Sequence, residues 1–198
     1  HGQLLGLPFV PGEVLDEDSR GGDGRSVIAV DVSHDRSFAY IAAARLRDDG
    51  LAHVEVFAKR PGTEWLLPAL KKNMAAWGVE SVALQGRGAP ASALAELFES
   101  EGIRVERVEG PDLGAAYGHL YDSVVNGKLR HRTQPDLDLA ANSAVTKPLG
   151  ETWVVDRMRS PVDAAPLCAV AFALWHLTGK AVRQVESAYS NMDSAWWE

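Results

Sequence analysis

The chain changes hydrophobic period partway along its length. Residues 27–33 run Val-Ile-Ala-Val-Asp-Val-Ser, an almost unbroken apolar stretch that predicts a buried strand. Residues 37–46, with Phe38, Tyr40 and Ile41, predict a second strand. Residues 53–59 alternate and predict a third, and Asp48-Asp49-Gly50 supplies the hairpin turn between the two. The domain therefore opens with an antiparallel meander. The period then lengthens. Trp65, Leu66, Ala69, Leu70, Met74 and Trp77 recur at helical spacing after Thr63-Glu64, and Gly78 ends that helix. A short strand at 81–84, a helix at 91–101 and a strand at 103–108 follow. This β-α-β-α-β series predicts parallel strands with right-handed crossovers. Helices are predicted over 112–126, 135–144 and 161–177, with an extended piece at 152–155 that ends at Asp156.

Composition sets the boundaries. Residues 1–25 are rich in Gly, Pro and Asp and read as a linker into a domain over 26–180; residues 181–198 form a polar tail ending Trp196-Trp197-Glu198. A start at His1 rather than Met is expected of a piece of a longer protein. No apolar run is long enough to span a bilayer, and the first residues carry no signal-peptide pattern. The net charge of -7 argues against indiscriminate nucleic-acid binding over the whole surface, though not against a local basic patch. The single cysteine, Cys168, lies in an apolar helical run and reads as a core residue. One cysteine excludes a disulfide framework and a Cys-based zinc site, and points to a reducing compartment.

Several residues could carry chemistry. Asp31 ends an apolar strand, and a buried carboxylate needs hydrogen bonds, a cation or a metal. Alternatively it caps the turn formed by Ser33, His34 and Asp35. Asp163 falls in the first turn of the last predicted helix, where an acid stabilises the helix dipole. Gln85-Gly86-Arg87-Gly88 follows a strand and precedes a helix, a weak phosphate-cradle signal without the full dinucleotide fingerprint. No GxxxxGK occurs, so the chain has no Walker ATPase. Arg87, Lys128, Arg130, His131, Arg132, Lys147, Arg157 and Arg159 are candidates for a basic rim on a DNA backbone, with residues 128–132 the favoured cluster.

An antiparallel meander followed by alternating helices and parallel strands is the order of the ribonuclease H-like α/β fold, a mixed sheet flanked by helices. Within it the chain resembles the C-terminal nuclease domain of a bacteriophage terminase large subunit over residues 27–179. The resemblance rests on four features in order. They are Asp31-Val-Ser-His-Asp35, Leu84-Gln-Gly-Arg-Gly-Ala-Pro90, Tyr121-Asp-Ser-Val-Val-Asn-Gly-Lys-Leu-Arg-His131, and Trp153-Val-Val-Asp-Arg157 followed by Ser160-Pro-Val-Asp-Ala-Ala-Pro-Leu167.

The resemblance implies a divalent-metal-dependent endonuclease, cutting double-stranded DNA during genome packaging in the host cytoplasm. Its implied partners are the terminase ATPase domain, the small terminase subunit and the portal, with no membrane. It implies two Mg²⁺ or Mn²⁺ ions, which favour oxygen ligands and, about 3.5–4 Å apart, activate a water and stabilise the leaving oxygen. Asp31 matches the family's first-strand ligand and Asp163 its last-helix ligand. The departure is Gln85, where the family has its second Asp. Three arrangements follow: Gln85 coordinates through its carbonyl oxygen, another carboxylate substitutes, or the site holds one ion. Asp156 is the foremost substitute, with Asp35 and Asp122 behind it, and its alternative role is an ion pair to Arg157 or Arg159. A ribonuclease H-like module that binds DNA or a partner but cuts poorly is the competing reading.

Overall fold

The computed structural model describes residues 2–9 and 13–181. A short strand, β1 (Gln3–Leu4), opens the chain. The expected meander follows as β2 (Ser26–Val32), β3 (Phe38–Leu46) and β4 (Ala52–Pro61). Helix α1 (Leu66–Trp77) leads to β5 (Ser81–Gln85). A 3₁₀ segment (Pro90–Leu94) and α2 (Ala95–Ser100) lead to β6 (Arg104–Val108). Next come α3 (Pro111–Val125), β7 (Leu129–Arg130), α4 (Pro135–Ser143), β8 (Val145–Leu149) and β9 (Thr152–Val155). The last described helix is α5 (Ala165–Leu174), continued by a π-helical turn, Trp175–Gly179.

The main sheet has the order β6-β5-β2-β3-β4-β7. The β2-β3-β4 pairs are antiparallel, while β5 joins β2 in parallel and β6 joins β5 in parallel. This is the mixed α/β sheet expected from the sequence. Strand alternation sorts β2 between two cores. Ile28, Val30 and Val32 face α1 and α2, against Leu66, Leu70 and Phe98. Val27 and Ala29 face α3, α4 and α5, against Tyr117, Leu137 and Phe172. The same alternation assigns Asp31 to the α5 side. Helix α5 is buried at every position from Ala165 to Leu174, because the sheet covers one side and α3 and α4 pack on the other. Small residues, Ala42 and Ala44 on β3 and Ala169, Ala171 and Ala173 on α5, permit that close packing. Cys168 is one of its buried residues; burial pushes its thiol up to about 12, as befits a core residue.

The structure corrects several expectations. The segment expected to be a linker packs into the domain. β1 pairs antiparallel with β8, Leu5 and Leu7 N–H groups donate to Ala144 and Ala141 carbonyls, and Leu7, Phe9 and Val14 are buried. The Phe9 ring stacks on buried His131 at 4.4 Å between centroids. Gly and Pro in that stretch shape a strap rather than a free tether. The strand β8 completes a second, antiparallel sheet, β1-β8-β9, that the apolar pattern did not indicate. The last helix begins four residues later than expected, since Pro166 rather than Pro161 occupies its first turn. The polar tail over 182–198 lies outside the described residues. No helix among those described is long and apolar enough to cross a membrane.

Phe9→Ala tests the strap. Losing a fully buried phenylalanine costs about 3–5 kcal/mol of unfolding free energy, measurable by denaturant titration. A linker residue would give almost no change.

Candidate active site

Three chain segments meet at one end of the central strands. β2 carries Asp31 near its C-terminal end, opposite Tyr40 of β3. β5 runs parallel to β2 with Ala29 level with Ala83, a register that brings Gln85 level with Asp31. The loop between β9 and α5 supplies Arg157 and Asp163 from the other side.

Asp31 is completely buried, and it is paired. The Arg157 guanidinium donates to both of its oxygens, through Nη1 to Oδ2 and through Nη2 to Oδ1 at 3.1 Å. The same Nη2 donates to Gln85 Oε1 at 3.0 Å. One planar fork therefore bridges the ends of β2 and β5, a geometry lysine cannot reproduce. Gln85 is fixed in turn: its Nε2 donates to the Arg87 carbonyl at 2.7 Å. Burial pushes the Asp31 carboxyl up to about 6; Arg157 pulls the other way, and nearby Asp163 adds to the rise. The guanidinium itself is held firmly protonated by the Asp31 charge.

Asp163 has a separate set of partners. Its Oδ2 accepts hydrogen bonds from the Ser33 hydroxyl and, at 2.8 Å, from Tyr40. Its Oδ1 accepts from the Ala165 N–H at 3.0 Å, which ties it to the start of α5. Burial and the Asp163 carboxylate together raise the Tyr40 hydroxyl, so it stays a donor. Arg36, in the turn after β2, holds a left-handed φ of 64°, the kind of local strain that accompanies functional loops.

These groups border a cleft of about 330 Å³. Ser33, His34, Tyr40, Lys59, Arg157 and Asp163 are among its lining residues; Asp31 is not. Arg157 lies between Asp31 and the open space. Lys59 closes one wall with its ammonium 4.6 Å from the Phe38 ring centroid and 2.8 Å from Asp136.

The other candidates fall elsewhere. Asp156 caps its own turn, accepting from the Met158 and Arg159 N–H groups at 3.2 Å each, and its nearest cation is Arg159 at 4.0 Å. It shapes the turn that launches Arg157 rather than joining Asp31. Asp35 lines the cleft, with its Oδ1 engaged by the Ser37 N–H at 2.9 Å. Asp122 is an exposed residue of α3. Arg87 is exposed beside the site, 3.5 Å from Glu109.

Lys128, Arg130 and Arg132 do not rim the cleft. β7 pairs with the beginning of β4, Leu129 level with Ala52, whereas the cleft lies at the end of β4, where Lys59 is level with Tyr40. Seven residues at about 3.4 Å each separate the two levels. Arg130 there donates to the Gly127 carbonyl at 2.8 Å, and Arg132 pairs with Glu55 at 2.6 Å. Ser33, Tyr40 and Lys59 are not singled out for the site by the sequence, which offers Arg157 as a rim cation or as a partner of Asp156. The alternation of β2 and β3 gives one available signal: Tyr40 is the residue opposite Asp31.

The donor set is all oxygen, which suits a hard divalent cation. Its charge does not suit two. Among the described residues no three His, Cys, Asp or Glu side chains converge to hold a metal ion. Of the acids near the cleft, Asp35 is engaged by Ser37 and Asp136 by Lys59; Arg157 already balances Asp31.

No protein-family model matches the sequence, and no curated protein matches it. Solved structures do. The large terminase nuclease of thermophilic phage G20c is 14% identical, with a TM-score of 0.65 over 86% of this chain and 97% of that one. The same nuclease with bound magnesium gives 0.61 at 16% identity, over 81% and 90%. The nuclease domain of the SPP1 bacteriophage large terminase, with bound Mn, gives 0.55 at 10% identity, over 86% and 98%. The HK97 bacteriophage large terminase gives 0.57 at 16% identity, over 78% of this chain but 40% of that one. The chain thus spans less than half of the HK97 protein. It has a ribonuclease H-like α/β fold. More narrowly, that fold is the one of the phage large terminase nuclease domains.

Tyr40→Phe tests what holds Asp163. Removing a hydroxyl that donates to a carboxylate should cost about 1.5–3 kcal/mol of stability, read by denaturant titration. An unchanged midpoint would mean that Ser33 and the Ala165 N–H suffice.

Proposed function

We propose that this chain is the endonuclease domain of a phage DNA-packaging terminase. It hydrolyses phosphodiester bonds of double-stranded DNA with Mg²⁺ or Mn²⁺, in the host cytoplasm, alongside an ATPase domain, a small terminase subunit and a portal. The observation that carries this reading is that Asp31 and Gln85 meet on Arg157, which lines the same cleft as Asp163, in a fold shared with nucleases whose structures include bound magnesium and manganese.

Asp31 and Asp163 would hold the ion, with the Gln85 carbonyl oxygen as a neutral ligand. Two carboxylates and an amide make one ion the natural occupancy, and a weaker site than three acids would build. A divalent ion in such a site lowers the pKa of a bound water and stabilises the charge that develops on the phosphate. Ser33 and Tyr40 orient Asp163. Lys59, on the cleft wall, and Arg87, exposed beside the site, would contact the DNA backbone, which positions the duplex without reading its sequence. Lys128, Arg130 and Arg132, at the far end of the sheet, contribute at most to a second backbone contact.

A second reading is favoured by the Arg157–Asp31 pair: a module that binds DNA and cuts poorly alone, because a cation of its own fills the place of a metal.

Mn²⁺-dependent nicking of plasmid DNA separates the two. Asp31→Asn keeps the shape of the side chain and removes its charge. It should lower cleavage roughly 100-fold or more, beyond what loss of a group that only orients a ligand costs, while circular dichroism stays unchanged. Equal cleavage by wild type and variant would remove Asp31 from the site. Duplex binding without cleavage by either would favour the module.

A further inference from the structure

Arg157 is the feature of the site that the nuclease reading does not use. We propose that it is a displaceable internal counter-ion, occupying the Asp31 side of the cleft until substrate phosphate draws it away and admits the divalent ion. The inference rests on the nuclease reading above.

Three observations support it. The first is position. Arg157 lines the cleft, whereas Asp31, entirely buried, does not, so an ion entering from the cleft meets the guanidinium before the carboxylate. The second is occupancy. Both Asp31 oxygens and Gln85 Oε1 accept from Arg157, so three donor atoms offered to a metal are already engaged by one cation. The third is charge. With Gln85 neutral, Arg157 offsets one of the two acids, and a divalent ion added beside it would be repelled at short range.

The same group has an alternative partner. A guanidinium binds phosphate in the fork geometry it uses for carboxylate. Its side chain is 10% exposed, toward the space a DNA backbone would enter. Moving Arg157 from Asp31 to a phosphate leaves each charge paired: the guanidinium with substrate, the carboxylate with the incoming metal. Metal and DNA binding are then coupled, and the coupling is reciprocal. Free metal-loaded protein would be scarce, and cleavage competence would arise on DNA.

The test measures Mn²⁺ binding by the 198-residue chain, read from the free-ion electron paramagnetic resonance signal. It is done with and without a short DNA duplex, subtracting ions held by the duplex alone. Wild type should bind Mn²⁺ weakly by itself, and the duplex should strengthen binding by roughly 5–150-fold, the usual range of such coupling. Arg157→Gln should bind Mn²⁺ more tightly than wild type without DNA, and the duplex should add little. Its thermal stability should rise more with Mn²⁺ than that of wild type, which a merely structural arginine would not cause. If Arg157→Gln fails to fold, Arg157→Lys, which keeps the charge and loses the fork, should still show raised affinity and reduced coupling.

Equal Mn²⁺ affinity in wild type and variants, unaffected by DNA, would overturn the counter-ion role while leaving a nuclease site that binds metal. No Mn²⁺ binding by any of the proteins, with or without DNA, would overturn both the counter-ion role and the nuclease reading.

Discussion

A carboxylate with no access to water constrains this fold more than any other single group. Asp31 interrupts a strand that is otherwise apolar, between two strands and beneath a buried helix. Taken from water without a partner, its charge would cost several kcal/mol. The chain meets that cost with Arg157, from a segment 126 residues away in sequence. Either side chain alone would be a buried unpaired charge, and breaking such a pair typically costs about 3–5 kcal/mol. The loop between β9 and α5 must therefore close over the ends of β2 and β5 for the domain to be stable.

Much of the surrounding architecture serves that closure. Asp156 caps the turn from which Arg157 projects, and Ser160 reinforces it by donating to the Asp156 carbonyl at 2.7 Å. Asp163 then anchors the start of α5 through the Ala165 N–H while Ser33 and Tyr40 hold it to β2 and β3. The loop is thus fixed at both ends to the strands it covers. The N-terminal strap, through β1 and β8, braces the same segment from outside, since β8 pairs with β9. A site whose acids are held this way is rigid in its carboxylates.

The sequence made the sheet legible because each strand's burial is written locally, as apolar runs and alternation. It made Asp31 legible for the same reason: one polar residue in an apolar run demands an explanation. Asp163 was approachable through its place ahead of a long apolar helix. Arg157 was not, because nothing local distinguishes an arginine that folds inward over a strand end from one in solvent. The strap was misread on composition, since Gly and Pro around Leu7, Phe9 and Val14 mark turns without saying whether the apolar residues between them find a core. The place of the basic run over 128–132 is not legible locally. Its distance from the cleft follows from the parallel pairing of β7 with the start of β4, a long-range fact that residue spacing does not encode. Gln85 was legible as a departure, and its consequence became clear only beside Arg157: a neutral amide accepts from the guanidinium where a second acid would have made a larger demand for cations.

If Arg157 is the displaceable counter-ion proposed above, one cation position beside Asp31 is shared between it and a divalent metal. The most direct measurement is a crystal structure with Mn²⁺ and a short DNA duplex, using the anomalous signal to locate the ion. One Mn²⁺ is expected between Asp31 and Asp163, with the Arg157 guanidinium moved from Asp31 to a phosphate. An ion seated there with Arg157 still on both Asp31 oxygens, or no ion at all, would contradict it.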